Sequence, residues 1–362
     1  LVDLSHNVVE GGEVLPLEPR SVVALRSILG DVQYQPAEGI PRHRTAAAAW
    51  MRRARLDASP ENVVITPGAH QAIVAVLAAV CRPGDTILTE EFTYPRVSTI
   101  AALLHLEVET VKLDESGAVP ESIEKACRKS GAKALYLIPN FQNPTGSVMP
   151  EKRRHEIATI VRRNDLLLIE DDVYGFLLES PPHPIATHAP DGTAFVTSAS
   201  KSLTPSLRLG FASVPQRWIE RVTAACAALT AFTSTIDGEL FTQLVDTGAA
   251  DRAIAAKRTV IATNRRAAAR ALGSLEPRAH AMSPHLWIEL PRGVEAHELA
   301  ERARMRGIVV SAGPSFSPHR KPAVEAVRIS LGAVANAAQI ESAVRTLASL
   351  MRDSRLGSSV VA

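Results

Sequence analysis

Between about Asn62 and Val214, short aliphatic or β-branched runs alternate with longer stretches of helical periodicity, and this alternation restricts the fold more than any other feature. The runs are Val63–Ile65, Thr86–Leu88, Val108–Lys112, Ala134–Ile138, Leu166–Ile169, Phe195–Thr197 and Phe211–Val214. Helical patterns over His70–Val80, Pro95–Leu104, Glu121–Lys129 and Glu151–Asn164 lie between several of them. Strands that are apolar at every position must be covered on both faces. The succession therefore predicts an α/β fold with a mostly parallel, seven-stranded sheet between helices. Pro83-Gly84-Asp85 and Asn143-Pro144-Thr145-Gly146 are turn signals within it.

Past Pro215 the pattern is helical to about Leu272. A shorter unit follows: strand His285–Leu290, helix Glu295–Arg306, strands Ile308–Ser311 and Val327–Ser330, and helix Asn336–Met351. This predicts a smaller α+β C-terminal domain, with a frayed tail from about Ser354. A chain of 362 residues suits two unequal domains. The expected division is 1–40 for an N-terminal arm with part of the small domain, 41–265 for the large domain, and 266–362 for the small one.

Net charge is +2, and the arginine pairs Arg52-Arg53, Arg153-Arg154, Arg162-Arg163 and Arg265-Arg266 fall in helical patterns, where solvated faces are expected. Cys81, Cys127 and Cys226 are odd in number and far apart, which argues against a disulfide framework or a cysteine zinc site and fits a reducing cytoplasm. No apolar run approaches the roughly 18–20 residues of a membrane helix; Ala72–Val80 reads as a buried helix instead. No signal peptide is visible. The chain starts at Leu1 rather than Met, as a processed chain or a fragment does.

Open α/β sheets place ligands beyond the C-terminal ends of their strands. Thr197–Phe211, TSASKSLTPSLRLGF, follows a strand. Its Ser198, Ser200 and Arg208 suit a phosphate ester, and the Lys201 amine suits an aldehyde. Alone, the segment reads equally well as an exposed loop lysine. IEDDVYGFL follows another strand, and an acid there, Asp171, can keep a pyridinium nitrogen protonated, with Tyr174 three residues on. The competing reading, a metal held by Glu170, Asp171 and Asp172, lacks a supporting histidine, and no metal is expected. In PNFQNPTG, Asn143 can donate to a phenolic oxygen, although N-P-T-G is by itself only a turn. In TPGAHQAI a glycine opens a helix, so the N–H groups of Ala69 and His70 suit an anion; His70 acts there through its backbone rather than as a catalytic base.

In this order and spacing, the four segments resemble the fold-type-I, pyridoxal phosphate (PLP)-dependent aminotransferases of class I/II. EEFTYPRV resembles the segment whose tyrosine, here Tyr94, stacks on the cofactor ring. DVQYQPAEGIPRHR resembles the one whose tyrosine, here Tyr34, reaches the phosphate in the neighbouring subunit. AVRISLG resembles the one whose arginine, here Arg328, grips the substrate α-carboxylate. PGDTILTEEFTYP and HLWIELP look like the aminotransferase-like domain of MocR/GntR-type proteins. The resemblance implies an aminotransferase acting on an α-amino acid and a 2-oxo acid. Lys201 then forms the Schiff base and moves the proton, Asp171 and Tyr174 tune the cofactor, Asn143 and Arg328 meet the substrate, and a homodimer completes each site. Three positions depart from the pattern: Ala69 replaces a frequent serine, Ser206 a glycine, and Asn7 stands near a substrate-lining glycine. Two alternatives remain: an effector-sensing domain of a MocR/GntR-type regulator whose DNA-binding domain is absent, the one case with a nucleic-acid partner, and a PLP-dependent lyase on the same fold.

Overall fold

The seven apolar runs form one sheet in the computed structural model of the protein, which describes residues 1–10, 19–30, 33–273, 275, 277–319 and 324–358. Across the sheet the strands are Val63–Thr66, Gly210–Ser213, Thr193–Ser198, Leu167–Asp171, Ala134–Leu137, Thr86–Glu90 and Glu107–Val111. Gly210–Ser213 runs antiparallel to both its neighbours, and the remaining pairings are parallel. Six strands therefore point the same way, and their C-terminal ends share one edge.

The pleat sends alternate residues to opposite faces, and both faces are apolar. Ala134, Tyr136, Ile169 and Val196 pack with Ile73, Leu77 and Val222 of helices Ala69–Val80 and Ile219–Thr230. Leu135, Leu137 and Leu168 pack on the other side with Ile123, Ile157 and Val161 of helices Pro120–Ser130 and Glu151–Arg163. Ile73, Val76 and Leu77 are at most 1% exposed, and each contributes about 1.5–3 kcal/mol through burial.

The smaller unit is an antiparallel sheet of His285–Glu289, Ala326–Ser330 and Ser311–Ala312, in which Arg328 sits opposite both Trp287 and Ser311. Val2–Asp3 pairs with Ile308–Val309. The single strand expected over Ile308–Ser311 is thus two, because its halves serve different partners. Helix Ala249–Leu272 continues unbroken through residues 265 and 266. Helix Ala337–Ser358 runs past Ser354, where a frayed tail was expected; Leu347, Leu350 and Met351 anchor its apolar stripe in the core, and the helix propagates from there. Residues 359–362 of that tail lie outside the described residues. Helices Pro19–Gly30 and Pro41–Met51 had no counterpart in the sequence reading; each begins with proline, favoured at the first helical position.

Arg154 is not on a solvated face. It is fully buried, with Nη1 3.6 Å from Glu170 Oε1, Nη2 donating to Asn140 Oδ1 at 2.7 Å and Nε donating to Met149 O at 2.9 Å. It shares a helical stripe with Ile157, Ala158 and Val161, so the turn that buries them buries it too. A buried cation persists only with such partners.

Candidate active site

At the shared strand edge, the loops of the large sheet, the N-terminal segment and the small sheet enclose a cavity of about 550 Å³. Ala69, His70, Tyr94, Asn143, Asp171, Tyr174, Ser198, Ser200, Lys201, Arg208 and Arg328 all line it. Tyr34 does not; it is 86% exposed, with its ring edge-on to Phe232 at 5.7 Å.

Asp171 ends its strand and is buried. Tyr136 donates its hydroxyl to Oδ2 at 2.6 Å, while Oδ1 has no partner among the described residues. Burial pushes its pKa up to about 6, aided by the like charge of Asp172 and opposed by the Tyr136 hydrogen bond and by Lys201. Glu170, one residue earlier, faces away and accepts the N–H groups of Ile185 and Ala186 at 3.0 and 2.9 Å. Strand alternation thus separates the carboxylates that a three-acid metal site would need.

Lys201 lies on the short helix Ala199–Ser202, and its Nζ donates to Asn7 O at 2.7 Å. Burial lowers its pKa to about 8, with Arg328 and Arg208 adding to the shift and Asp171 resisting it. Tyr174 donates its hydroxyl to the same carbonyl at 3.0 Å. Burial holds that hydroxyl well above the usual phenol range, so it stays protonated.

Val327 and Ile329 enter the small domain's core, which turns Arg328 to the opposite face, towards the cavity. Burial lowers its pKa to about 10, leaving it charged at neutral pH. Nη1 donates to Asn143 Oδ1 at 2.8 Å, Nη2 to Ser5 O, and the guanidinium lies 4.8 Å from the Phe316 ring centroid. Because arginine only donates, Asn143 keeps its Nδ2 donors for a ligand.

Helix Ala69–Val80 starts after Gly68, whose φ of 92° favours glycine. Arg208 donates from Nη2 to Pro67 O at 3.4 Å and from Nη1 to Ser200 Oγ at 3.3 Å. The His70 ring stands edge-on to Tyr94 at 6.3 Å; burial and the charges of Arg96 and Arg208 lower its pKa. A Cβ on Gly210 would lie 2.3 Å from Gly68 C and 2.4 Å from Ala69 N, so the strand and this loop touch backbone to backbone. Gly210→Ala is expected to destabilise the protein by about 1–3 kcal/mol and to loosen ligands held by the loop. Urea unfolding checks this; an unchanged midpoint refutes the close approach.

The sequence reading missed Tyr136 and the carbonyls of Ser5 and Asn7. Tyr136 carried a faint signal, a polar atom inside an apolar strand. Main-chain acceptors carry none.

Residues 2–347 match the family model described as aminotransferase class I and II. The chain is 29% identical, over 96% of its length and 77% of the relative's, to an uncharacterized HTH-type transcriptional regulator, YdeF, of Bacillus subtilis. It is 28% identical, over 80% of its length and 73% of the relative's, to aromatic-amino-acid aminotransferase 1 of Thermococcus litoralis. The crystal structure of LysN, an alpha-aminoadipate aminotransferase of Thermus thermophilus complexed with N-(5'-phosphopyridoxyl)-L-leucine, superposes with a TM-score of 0.85 at 25% identity, covering 98% of this chain and 93% of that one. The chain belongs to the class I and II aminotransferases, PLP-dependent proteins of fold type I.

Proposed function

We propose that the cavity holds PLP and that the chain moves an amino group between an α-amino acid and a 2-oxo acid, with each lining residue in the role its chemistry suits. The observation that carries this reading is the buried Asp171 Oδ1, a charged acceptor with no partner among the described residues, in a cavity that the Lys201 amine and the buried Arg328 guanidinium also line. A protonated pyridine nitrogen supplies the donor that this oxygen lacks.

The donor set fits the rest of the cofactor. The N–H groups of Ala69 and His70, the hydroxyls of Ser198 and Ser200, and Arg208 hold the phosphate. Ala69 offers no hydroxyl, so Arg208 and the backbone bear more of that work. Tyr94 stacks on the ring, and Tyr174 and Asn143 Nδ2 donate to the phenolic oxygen. When bound, the cofactor acts as an electron sink for the substrate Cα. Arg328 takes the substrate carboxylate in a bidentate contact, assisted by Asn143. Lys201 would hold the cofactor through its aldehyde, and its amine is placed to move a proton at the substrate Cα. Both Lys201 and Tyr174 must first release the Asn7 carbonyl.

The reading includes a cytoplasmic homodimer in which Tyr34 reaches the partner subunit's phosphate. Its support is the outward exposure of Tyr34, away from its own cavity. No described helix is long and apolar enough to cross a membrane. A second reading, an effector-sensing domain, is favoured by the similarity to YdeF. Titrating the purified protein with a panel of amino acids separates the two. Conversion to the pyridoxamine form with release of the matching 2-oxo acid, by a species sedimenting as a dimer, supports the aminotransferase. A spectral change without turnover supports the sensor, and an active monomer rules out the role of Tyr34.

A further inference from the structure

We infer that Glu151, His155 and His188, with His183 beside them, form a binding site for a divalent transition-metal ion, with Zn²⁺ as its natural fit, outside the active-site cavity. Glu151 and His155 stand one turn apart on helix Glu151–Arg163, so both side chains share a face. His183 precedes, and His188 ends, the short helix Ile185–His188. None of the four lines the cavity.

The separations match those of a metal centre. Glu151 Oε1 lies 3.1 Å from His183 Nδ1, 3.1 Å from His188 Nε2 and 3.9 Å from His155 Nε2. The ligand atoms of Glu151, His155 and His188 all fall within 4.8 Å of one another. Ligands about 2.0–2.1 Å from a tetrahedral Zn²⁺ are themselves roughly 3.3 Å apart. The His155 and His188 rings are stacked with centroids 3.7 Å apart, so side-chain rotation, without backbone movement, brings their nitrogens to that spacing.

The supporting frame is fixed. Glu151 Oε2 also accepts the His183 N–H at 2.9 Å, and Glu170 pins the N–H groups of Ile185 and Ala186. Two nearby guanidinium groups contact this segment through main-chain carbonyls: Arg162 at His188 O, and Arg154 at His183 O. Glu151 Oε1 is hydrogen-bonded to His183 Nδ1 and His188 Nε2, and an ion would replace the His188 contact with shared coordination. Two imidazoles with one carboxylate suit zinc and its later transition-metal neighbours, not Mg²⁺ or Ca²⁺. Three protein ligands leave the fourth position of a tetrahedral shell to water. The ion would staple the loop that caps Glu170 to the neighbouring helix, one residue from Asp171.

No metal was expected because Glu170–Asp172 lacked a supporting histidine and the cysteines lacked zinc spacing; the present ligands are spread over 38 positions, and only one pair shows a helical spacing. The test uses tag-free, cofactor-loaded protein, dialysed against chelator and titrated with ZnCl₂ by calorimetry. One ion per chain is expected, raising the unfolding temperature, with Mg²⁺ inert. His155→Ala and Glu151→Gln should each weaken binding by at least about tenfold and abolish the thermal shift. Gln still accepts the His183 N–H, and His155 is largely exposed, so both variants should retain the cofactor spectrum. Wild-type protein that takes up no zinc overturns the site, as do two variants that bind it as tightly as wild type.

Discussion

Replacing Lys201 with alanine is expected to reduce transamination by at least about a thousandfold while leaving phosphate-anchored cofactor in place. General acid–base transfer alone accounts for about 10²–10⁴, and in the proposed mechanism Lys201 also supplies the covalent anchor. The proposed phosphate donors Ser198, Ser200, Arg208 and the Ala69–His70 backbone are untouched, so the variant should still bind PLP but show the spectrum of a free aldehyde. The pH dependence adds a second readout. Only the neutral amine attacks an aldehyde, and burial brings the Lys201 pKa down to about 8. Below that pH the ammonium form dominates, so cofactor capture by apo protein should slow about tenfold per pH unit and level off above it; an ordinary lysine would level off only near 10.4. Rapid mixing of apo protein with PLP across this range measures the midpoint. A variant that transaminates at the wild-type rate would remove Lys201 from the chemistry.

Lys201 was legible in the sequence because its neighbours at the strand ends are written in short motifs, and a parallel sheet brings strand ends together. The same logic made Asp171, Asn143 and the Gly68 turn legible. What lay beyond reach has a common physical cause. The carbonyl of Asn7 meets Lys201 across 194 positions, and a backbone acceptor is identical in every residue type. Arg154 looked like half of a surface pair because its charge was visible and its buried partners, Glu170 and Asn140, were not. The strand Ile308–Ser311 split because pairing partners are a tertiary property. Arg328 lay between these cases: its motif gave the residue, while the alternation of Val327 and Ile329 into the core gave the direction.

Asp171→Asn is expected to separate activity from stability in opposite directions. Asparagine keeps the shape and can still accept the Tyr136 hydroxyl. It removes the charge proposed to hold a proton on the cofactor ring, and activity should fall by about 10²–10³, the usual loss of one preorganised electrostatic partner. The apo protein should respond the other way. The folded pKa of Asp171 is raised from 3.8 to about 6, chiefly by burial. The unfolded chain therefore releases its proton first, and keeping the carboxylate folded costs stability that grows from about pH 4 to pH 6 and is constant above. Removing the charge should stabilise apo protein at pH 7 by on the order of 2–3 kcal/mol, with the gain vanishing below about pH 4. Urea unfolding of apo wild type and variant at pH 4 and pH 7, beside turnover of the loaded forms, measures both. If the variant loses apo stability together with activity, Asp171 is a structural acid; if it gains stability as activity falls, the unpartnered oxygen is a cost that the folded chain bears for its cofactor.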